Sequence, residues 1–466
     1  MFLEEDILMN ETLEKIFHLK EHGTNVRTEI LAGITTFMTM AYILAVNPNI
    51  LGATGMDAGA VFAATAIGAC VGTLLMAGLS NYPFVLAPGM GLNAFFAYTV
   101  CGQLGYSWQV ALAAVFVEGI IFIILSLTKV REAIFNCIPP ALKYGVTSGI
   151  GLFIAFIGLQ NAKIVVAGPT LVSLYPFRSA LLDGSFHTVG IGALLALLGT
   201  LLIAILMVKK VPGGILWGII ATWMAGMICE ATGVYIPNPE MGMLSVIPHF
   251  GNFAIPSLAP TFMQMDFSML ASFNFLTIII TFMFVDLFDT LGTLIGVASK
   301  ANMLDENGRL PKIKGALISD SVATSVGAVL GTSTVTTFVE SSSGVGVGGR
   351  TGLTSLVSAV LFLASLLLAP IFLAIPAFAT APALIVVGFL MVSSLMRIDF
   401  EDITEAVPAY IATIAMPFMY SISEGIAMGV ISYVIINVCS GAASKKTISP
   451  VVYVLAVIFV LKYIFV

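Results

Sequence analysis

The chain has 466 residues, of which 59% are hydrophobic and only 9% are charged, and its formal net charge is −6. A charged fraction so far below the roughly 25% of an average soluble domain excludes an ordinary soluble protein. The five cysteines are odd in number and scattered, and none of the four histidines lies in the middle of an apolar run. We therefore expect no disulfide framework, no metal and no cofactor, and we expect no nucleic-acid partner.

Long apolar runs recur from residue 29 to the C-terminus and predict an all-α polytopic membrane protein. Residues 1–28 are polar and mixed in charge, so we expect no cleavable signal peptide. Fourteen segments are predicted, at 29–48, 58–80, 84–104, 108–128, 144–160, 188–207, 211–230, 272–298, 314–331, 333–352, 353–373, 379–396, 407–421 and 422–440. A further apolar stretch, 449–466, fits either a fifteenth span or a position in the membrane interface.

The basic residues follow the predicted loops. If the N-terminus is cytoplasmic, fifteen of the nineteen lysines and arginines fall on the inner side, as the positive-inside rule predicts. Lys129, Arg131 and Lys143 are assigned in this way to the inner loop after the fourth segment. The compact loops favour the cytoplasmic membrane of a prokaryote.

Short sequence matches recur in the same order in the two halves of the chain. They pair residues 36–38 with 281–283, Gly72 and Gly89 with Gly327 and Gly344, residues 140–142 with 382–384, and residues 214–218 with 425–429. Each half has seven segments, so the second half would insert upside down. Such a 7+7 inverted repeat is common in secondary transporters.

The third and tenth segments are poor candidates for continuous helices. Residues 81–91 contain two prolines and two glycines, and residues 332–339 are β-branched and rich in hydroxyls. We expect a short extended strand in each, leading into a half-helix whose first N–H groups are unpaired. Asn93 follows the first break, and Glu340 and Ser341 follow the second. Paired interruptions of this kind indicate a transporter's binding site, here one suited to a flat, polar, largely neutral heterocycle.

Acidic residues inside apolar runs are the strongest functional signal. Asp286 and Asp289 lie three residues apart, on one helical face, and Glu340 lies in another membrane-depth segment. A carboxylate at bilayer depth costs roughly 2.5–3.5 kcal/mol, and few basic residues are expected nearby to neutralise these three. Repulsion between close carboxylates is relieved when one binds a proton, so we predict that Asp286, Glu340 or Asp289 couples transport to protons. The competing interpretation is that an acid caps a helix end.

Other residues carry weaker signals that leave two interpretations open. Thr36 fits either a cavity wall or a hydrogen bond to its own preceding carbonyl. Phe338 fits either stacking on a planar substrate or ordinary packing, and Asn93 fits either a ligand or a buried amide that breaks a helix. Glu118 is a further buried carboxylate, which could pair with polar groups of the core.

The chain resembles the AzgA-like purine permeases, a branch of the nucleobase–cation symporter-2 superfamily. The segments that carry the resemblance are residues 35–42, 87–96, 284–292 and 337–344. It extends over essentially the whole chain and implies proton-coupled uptake of adenine, guanine or hypoxanthine, often by a homodimer in the lipid bilayer. It implies that Asn93, Asp286 and Glu340 contact the purine and that Asp289 tunes the transport cycle.

The resemblance also implies a core domain of segments 1–4 and 8–11 and a gate domain of segments 5–7 and 12–14. The expected ranges are 1–28 for a cytoplasmic N-terminal segment, 29–128 and 272–373 for the core, 129–230 and 374–440 for the gate, 231–271 for an extracytoplasmic connection and 441–466 for a C-terminal tail.

Several alternatives remain open at this stage. The uracil and xanthine branch of the superfamily usually carries a histidine in the eighth segment, whereas position 290 here is threonine. An anion exchanger of the same fold would show a cationic site. A membrane enzyme would need a nucleophile–base pair or a metal cluster, and no such spacing appears. A secondary transporter working by alternating access, and not an enzyme, is therefore predicted, with the preferred purine undecided.

Overall fold

The computed structural model describes residues 12–128, 131, 138–168, 171–238, 244–248, 254–305, 310–441 and 448–465. Within these residues, eleven helices are long and apolar enough to cross a membrane. They coincide with eleven of the fourteen predicted segments, so the chain is a helical polytopic membrane protein. The other three segments, 84–104, 333–352 and 407–421, hold shorter elements, and the count of fourteen stays a prediction.

The helices in chain order are α1 (Val26–Met40), α2 (Ile43–Gly52), α3 (Ala58–Ser80), α4 (Met90–Ala94), α5 (Trp108–Leu127), α6 (Pro140–Asn161), α7 (Phe177–Asp183), α8 (Gly190–Val208), α9 (Gly214–Ala231), α10 (Phe273–Lys300), α11 (Ile313–Leu330), α12 (Ser341–Val347), α13 (Gly352–Ala364), α14 (Ala369–Leu373), α15 (Ala377–Val392), α16 (Ile403–Met419), α17 (Ile422–Cys439) and α18 (Pro450–Phe465). A π-helical stretch, Phe95–Gln103, continues α4. The strands are β1 (Leu86–Pro88), β2 (Val165–Gly168), β3 (Leu171–Leu174) and β4 (Val335–Thr337).

The chain divides into two compact units, each drawn from both halves of the sequence. The first unit contains Met1–Pro139, Ile255–Leu366 and Ala443–Val466, and the second contains Pro140–Ala254 and Leu367–Ala442. In the second unit, α6 packs against α15, α16 and α17. The core and gate roles suggested by the sequence stay predictions.

Strands β1 and β4 form a buried antiparallel pair inside the first unit. Leu86 lies opposite Thr337, and Pro88 lies opposite Val335. The run of β-branched residues in β4 favours an extended backbone. On its outer side, the Leu86 N–H donates to the Thr73 hydroxyl of α3 at 3.0 Å. The Thr73 side chain thus provides a partner for a backbone N–H group that does not pair with β4.

Glu29 explains how another buried carboxylate is accommodated in the first unit. This residue of α1 is fully buried. Its carboxylate accepts hydrogen bonds from the backbone N–H groups of Arg350 at 2.8 Å and Thr354 at 3.1 Å. The donors lie at the start of α13, where helix N–H groups lack partners within the helix. Glu29 is therefore a cap that fixes α1 against α13.

The short helix α12 lies against α1 at a position where only glycine fits. A Cβ atom on Gly344 would overlap the Thr36 hydroxyl and lie 2.7 Å from the Ala32 carbonyl oxygen, whereas a Cβ on Gly346, in the same helix, would meet nothing within 4 Å. Gly344→Ala is therefore expected to lower the free energy of unfolding by about 1–3 kcal/mol, because the overlap forces the helices apart.

Gly346→Ala is the matched control, since alanine also has the higher helix propensity. Thermal unfolding of the purified proteins in detergent measures the difference. Equal unfolding temperatures for the two variants would contradict the close approach of α12 and α1.

Candidate functional site

Glu340 lies directly after strand β4, where it meets a tyrosine from the junction of α1 and α2. The Tyr42 hydroxyl donates to Glu340 Oε1 at 2.7 Å. Tyr42 is completely buried, whereas Glu340 keeps 8% of its surface exposed. The tyrosine fixes the carboxylate in one orientation.

Asp289 of α10 belongs to the same region. It interacts electrostatically with Glu340 and Tyr42, and its side chain is only half-buried. Its Oδ2 atom lies 3.2 Å from the position that a Cβ on Gly89 would occupy. The same Cβ would lie 2.6 Å from Thr336 Cγ2, so the backbone at Gly89 packs directly against strand β4 and the Asp289 carboxylate. Two of the predicted acids, Asp289 and Glu340, are brought together here.

Asn93 of α4 is held by the other break. Its side chain is fully buried, its Nδ2 donates to the Pro88 carbonyl at 3.4 Å, and its Oδ1 accepts a hydrogen bond from the Ser333 hydroxyl. The Gly89 N–H donates to the Thr334 carbonyl at 3.0 Å. Asn93 thus links the two broken segments.

Asp286, the third predicted acid, faces a separate buried cluster around an arginine. The Arg131 Nη2 atom lies 2.8 Å from Asp320 Oδ2 and 3.1 Å from Asp286 Oδ2, and all three side chains are fully buried. Arg131 Nη1 donates to the Ser321 hydroxyl at 2.9 Å, and the guanidinium lies 4.0 Å from the Phe122 ring centroid. One guanidinium therefore bridges two carboxylates from α10 and α11.

The expectation that few basic residues lie near the three acids was wrong for Asp286. Arg131 was assigned to the inner loop after the fourth segment, because it lies at the end of an apolar run next to Lys129. Its guanidinium is instead turned into the first unit and completely buried. The guanidinium is buried there because it pairs with the buried carboxylates of Asp286 and Asp320. Without that pairing, each buried ion would cost several kcal/mol.

Thr290 extends this cluster to strand β4. Its hydroxyl oxygen lies 2.9 Å from Asp286 Oδ1, 2.8 Å from Asp320 Oδ1 and 2.6 Å from the Thr336 hydroxyl oxygen. Both oxygens of Asp286 are therefore engaged by the protein itself. The predicted contact of Asp286 with substrate stays a prediction, and the structure gives this carboxylate other partners.

Comparison with known proteins identifies the family. The Permease family profile matches residues 27–428. The adenine permease AdeP of Escherichia coli (strain K12) is 44% identical over 459 residues, covering 97% of this chain and 96% of the relative. The guanine/hypoxanthine permease PbuG of Bacillus subtilis (strain 168) is 44% identical over 465 residues, covering 97% and 100%. The chain belongs to this family, in its AzgA-like nucleobase branch.

Solved structures place the permease in a wider fold. The transmembrane domain of the cyanobacterial bicarbonate transporter BicA matches with a TM-score of 0.62 at 18% identity, covering 86% of the permease and 97% of that domain. The murine anion transporter Slc26a9 matches with a TM-score of 0.62 at 13% identity, covering 89% and 68%. At these identities the likeness concerns the fold alone.

Of the remaining predicted residues of the permease, Thr36 and Ser341 have hydrogen-bond partners and Phe338 is buried. The Thr36 hydroxyl donates to the Ala32 carbonyl at 2.9 Å, which is the packing alternative considered from the sequence. The Ser341 hydroxyl accepts from the Val85 N–H at 3.0 Å and so ties α12 to β1. Phe338 is buried, with 6% of its surface exposed. Their predicted contacts with substrate stay predictions.

Sequence reasoning missed three ionisable residues of these clusters, Asp320, Tyr42 and Arg131. Asp320 carries the same signal as Asp286, a carboxylate inside an apolar run, and that rule would have found it. Tyr42 and Arg131 gave no comparable signal, because a tyrosine and an arginine near the end of a segment are ordinary in membrane proteins.

Among the described residues, no group of three or more His, Cys, Asp or Glu side chains could hold a metal ion.

Proposed function

We propose that the permease imports purine nucleobases by proton symport through alternating access. The names of the relatives, which include adenine and guanine/hypoxanthine permeases, support the substrate class. The observation that carries the proposal is the pair of carboxylates beside the broken segments, buried Glu340 and half-buried Asp289.

The chemistry of this carboxylate pair suits a purine. A purine presents ring and exocyclic N–H donors at its edge, and an ionised carboxylate accepts two or more hydrogen bonds. We propose that Glu340, oriented by Tyr42, and Asp289 accept hydrogen bonds from these N–H groups. Asn93 and Ser333 would hold the two broken segments together beside them. We propose that Phe338, two residues before Glu340, stacks on the ring.

The remaining parts of the proposal concern the transport cycle. A 7+7 inverted repeat would place β1 and β4 antiparallel, and the observed antiparallel pairing supports this arrangement. Proton symport is supported by the buried carboxylates of the first unit. The homodimer, the cytoplasmic N-terminus and the prokaryotic cytoplasmic membrane stay predictions.

Uptake of radiolabelled adenine, guanine and hypoxanthine into transport-deficient cells tests the proposal. We expect uptake of at least one purine that a protonophore abolishes. Asp289→Asn is expected to lower this uptake by roughly tenfold or more, because a hydrogen bond to a charged group contributes about 1.5–3 kcal/mol.

Asp399→Asn is the matched control, since Asp399 is exposed in a loop of the second unit, and uptake by this variant should equal that of the wild type. Uptake of uracil or xanthine alone would assign the permease to the other substrate branch. Transport of bicarbonate or sulfate without purine uptake would overturn the proposal in favour of anion exchange.

A further inference from the structure

The cluster around Arg131 holds more negative than positive charge. With both carboxylates ionised, Arg131, Asp286 and Asp320 together carry one net negative charge, and all three side chains are fully buried. Burying an uncompensated charge costs far more than burying a neutral group. One bound proton would make the cluster neutral.

The hydrogen bonds of Thr290 also indicate one bound proton, independently of the net charge. A hydroxyl has one proton to donate and two lone pairs to accept with. Its oxygen nevertheless lies within 2.9 Å of Asp286 Oδ1 and within 2.8 Å of Asp320 Oδ1. With both carboxylates ionised, only one of these contacts could be a hydrogen bond, and the other would be repulsive. If one carboxylate holds a proton, it donates to Thr290 while Thr290 donates to the other.

Other charged groups surround the cluster without neutralising it. Glu118 of α5 interacts electrostatically with Asp286, Arg131 and Asp320. Its Oε2 accepts from the Thr334 hydroxyl at 2.8 Å, and its buried Oε1 has no hydrogen-bond partner among the described residues. Asp289 interacts electrostatically with Asp286. These neighbours add negative charge, so they strengthen the need for a proton at the cluster.

Arg131 itself has one donor left over. Its Nη1 and Nη2 atoms are engaged, but the buried Nε is unpaired among the described residues. Arg131 Nη2 lies 2.8 Å from Asp320 Oδ2 but 3.1 Å from Asp286 Oδ2. Asp320 also interacts electrostatically with the backbone of Thr337 in strand β4. This asymmetry gives the shared proton a defined place, on the Asp286 side.

Residues 333–337 connect this cluster to the broken segments. Side chains of an extended segment alternate between two faces. Thr334 and Thr336 share one face and meet Glu118 and Thr290, whereas Ser333, on the other face, bonds Asn93. A displacement of this segment when a solute binds would therefore change the partners of Thr290.

We propose that Asp286 and Asp320 share one proton beneath Arg131 and that this pair is the proton-binding site of the permease. The inference rests on the proposed proton symport and adds Arg131, Asp320 and Thr290 to it. The proton enters from extracytoplasmic water, forms an O–H bond on the pair and leaves to the cytoplasm. Strand β4 transmits purine binding to the pair through Thr336 and Thr290.

Purified permease in liposomes tests the inference. A pH-sensitive dye inside the liposomes records proton movement, and radiolabelled purine records the purine moved. Asp320→Asn is expected to bring the ratio of protons to purine close to zero, because the cluster of Arg131 and Asp286 is neutral without a proton. Asp399→Asn, which changes an exposed loop residue of the second unit, is the control and should keep the ratio of the wild type.

Infrared difference spectra between purine-bound and purine-free protein give a readout that does not require transport. The wild type should show a C=O band of a protonated carboxylic acid that changes on purine binding, and this band should disappear in Asp320→Asn and persist in Asp399→Asn. An unchanged ratio of protons to purine, or an unchanged band, in Asp320→Asn would overturn this inference but leave the proposed symport standing. Purine movement without protons in the wild type would overturn the proposed symport, and the inference with it.

Discussion

Arg131→Gln is expected to lower the free energy of unfolding by about 3–5 kcal/mol, the usual cost of removing one partner from a buried ion pair. The loss should be large because the guanidinium engages Asp286, Asp320 and Ser321 at once. Without it, two buried carboxylates face each other with no cation. Thermal unfolding in detergent, together with the yield of monodisperse protein, measures the effect.

Two further variants separate electrostatics from packing. Arg397→Gln removes an arginine that is exposed and lies 5.7 Å from the Tyr144 ring centroid, and a surface change of this kind should alter stability by no more than about 0.5 kcal/mol. Adding Asp320→Asn to Arg131→Gln should recover part of the loss, because it removes one of the two carboxyl groups that are left without a cation. No recovery in the double variant would mean that Arg131 stabilises the fold through packing against Phe122 and not through charge.

Glu340→Gln is expected to raise the KM for purine uptake by roughly 10- to 100-fold, the equivalent of losing a hydrogen bond to a charged group. Glutamine has the shape of glutamate, but one of its two acceptor oxygens is replaced by an N–H₂ donor. That donor would oppose the N–H groups of the purine. Initial rates of uptake over a range of purine concentrations measure the effect, after normalisation to protein in the membrane.

The control variants define what this result means. Glu401→Gln changes an exposed glutamate in a loop of the second unit and should leave KM unchanged. Tyr42→Phe removes the hydroxyl that donates to Glu340 at 2.7 Å but keeps the carboxylate, so we expect a smaller rise in KM than for Glu340→Gln. A normal KM in Glu340→Gln would exclude Glu340 from purine recognition.

Much of the fold followed from hydropathy, because a membrane span must be long, apolar and helical to satisfy its own backbone. That requirement predicted the segments that became the eleven long helices. It gives little information where the backbone is not helical. The partner of β1 lies in the other half of the chain, and no local pattern fixes such a pairing.

The candidate site was predicted unevenly for a related reason. Glu340, Asp289 and Asp286 were found because acids at membrane depth are rare. Their grouping was not found, because Asp286 and Asp289, three residues apart on α10, meet different partners in the folded unit. The helix periodicity placed them on one face, but the width of that face is enough for one to meet Arg131 and the other to approach Glu340.

The residues of strands β1 and β4 are synthesised at well-separated times. Val85 and Ser341, whose hydrogen bond flanks the strand pair, are 256 residues apart in the chain. At about 5–20 residues added per second, β1 leaves the ribosome roughly 13–50 seconds before its partner. During that interval its backbone groups lack the partner that satisfies them later, and lipid offers no substitute. The backbone groups of β1 that pair with β4 therefore have to be satisfied by water or by other protein groups until the second half has been synthesised.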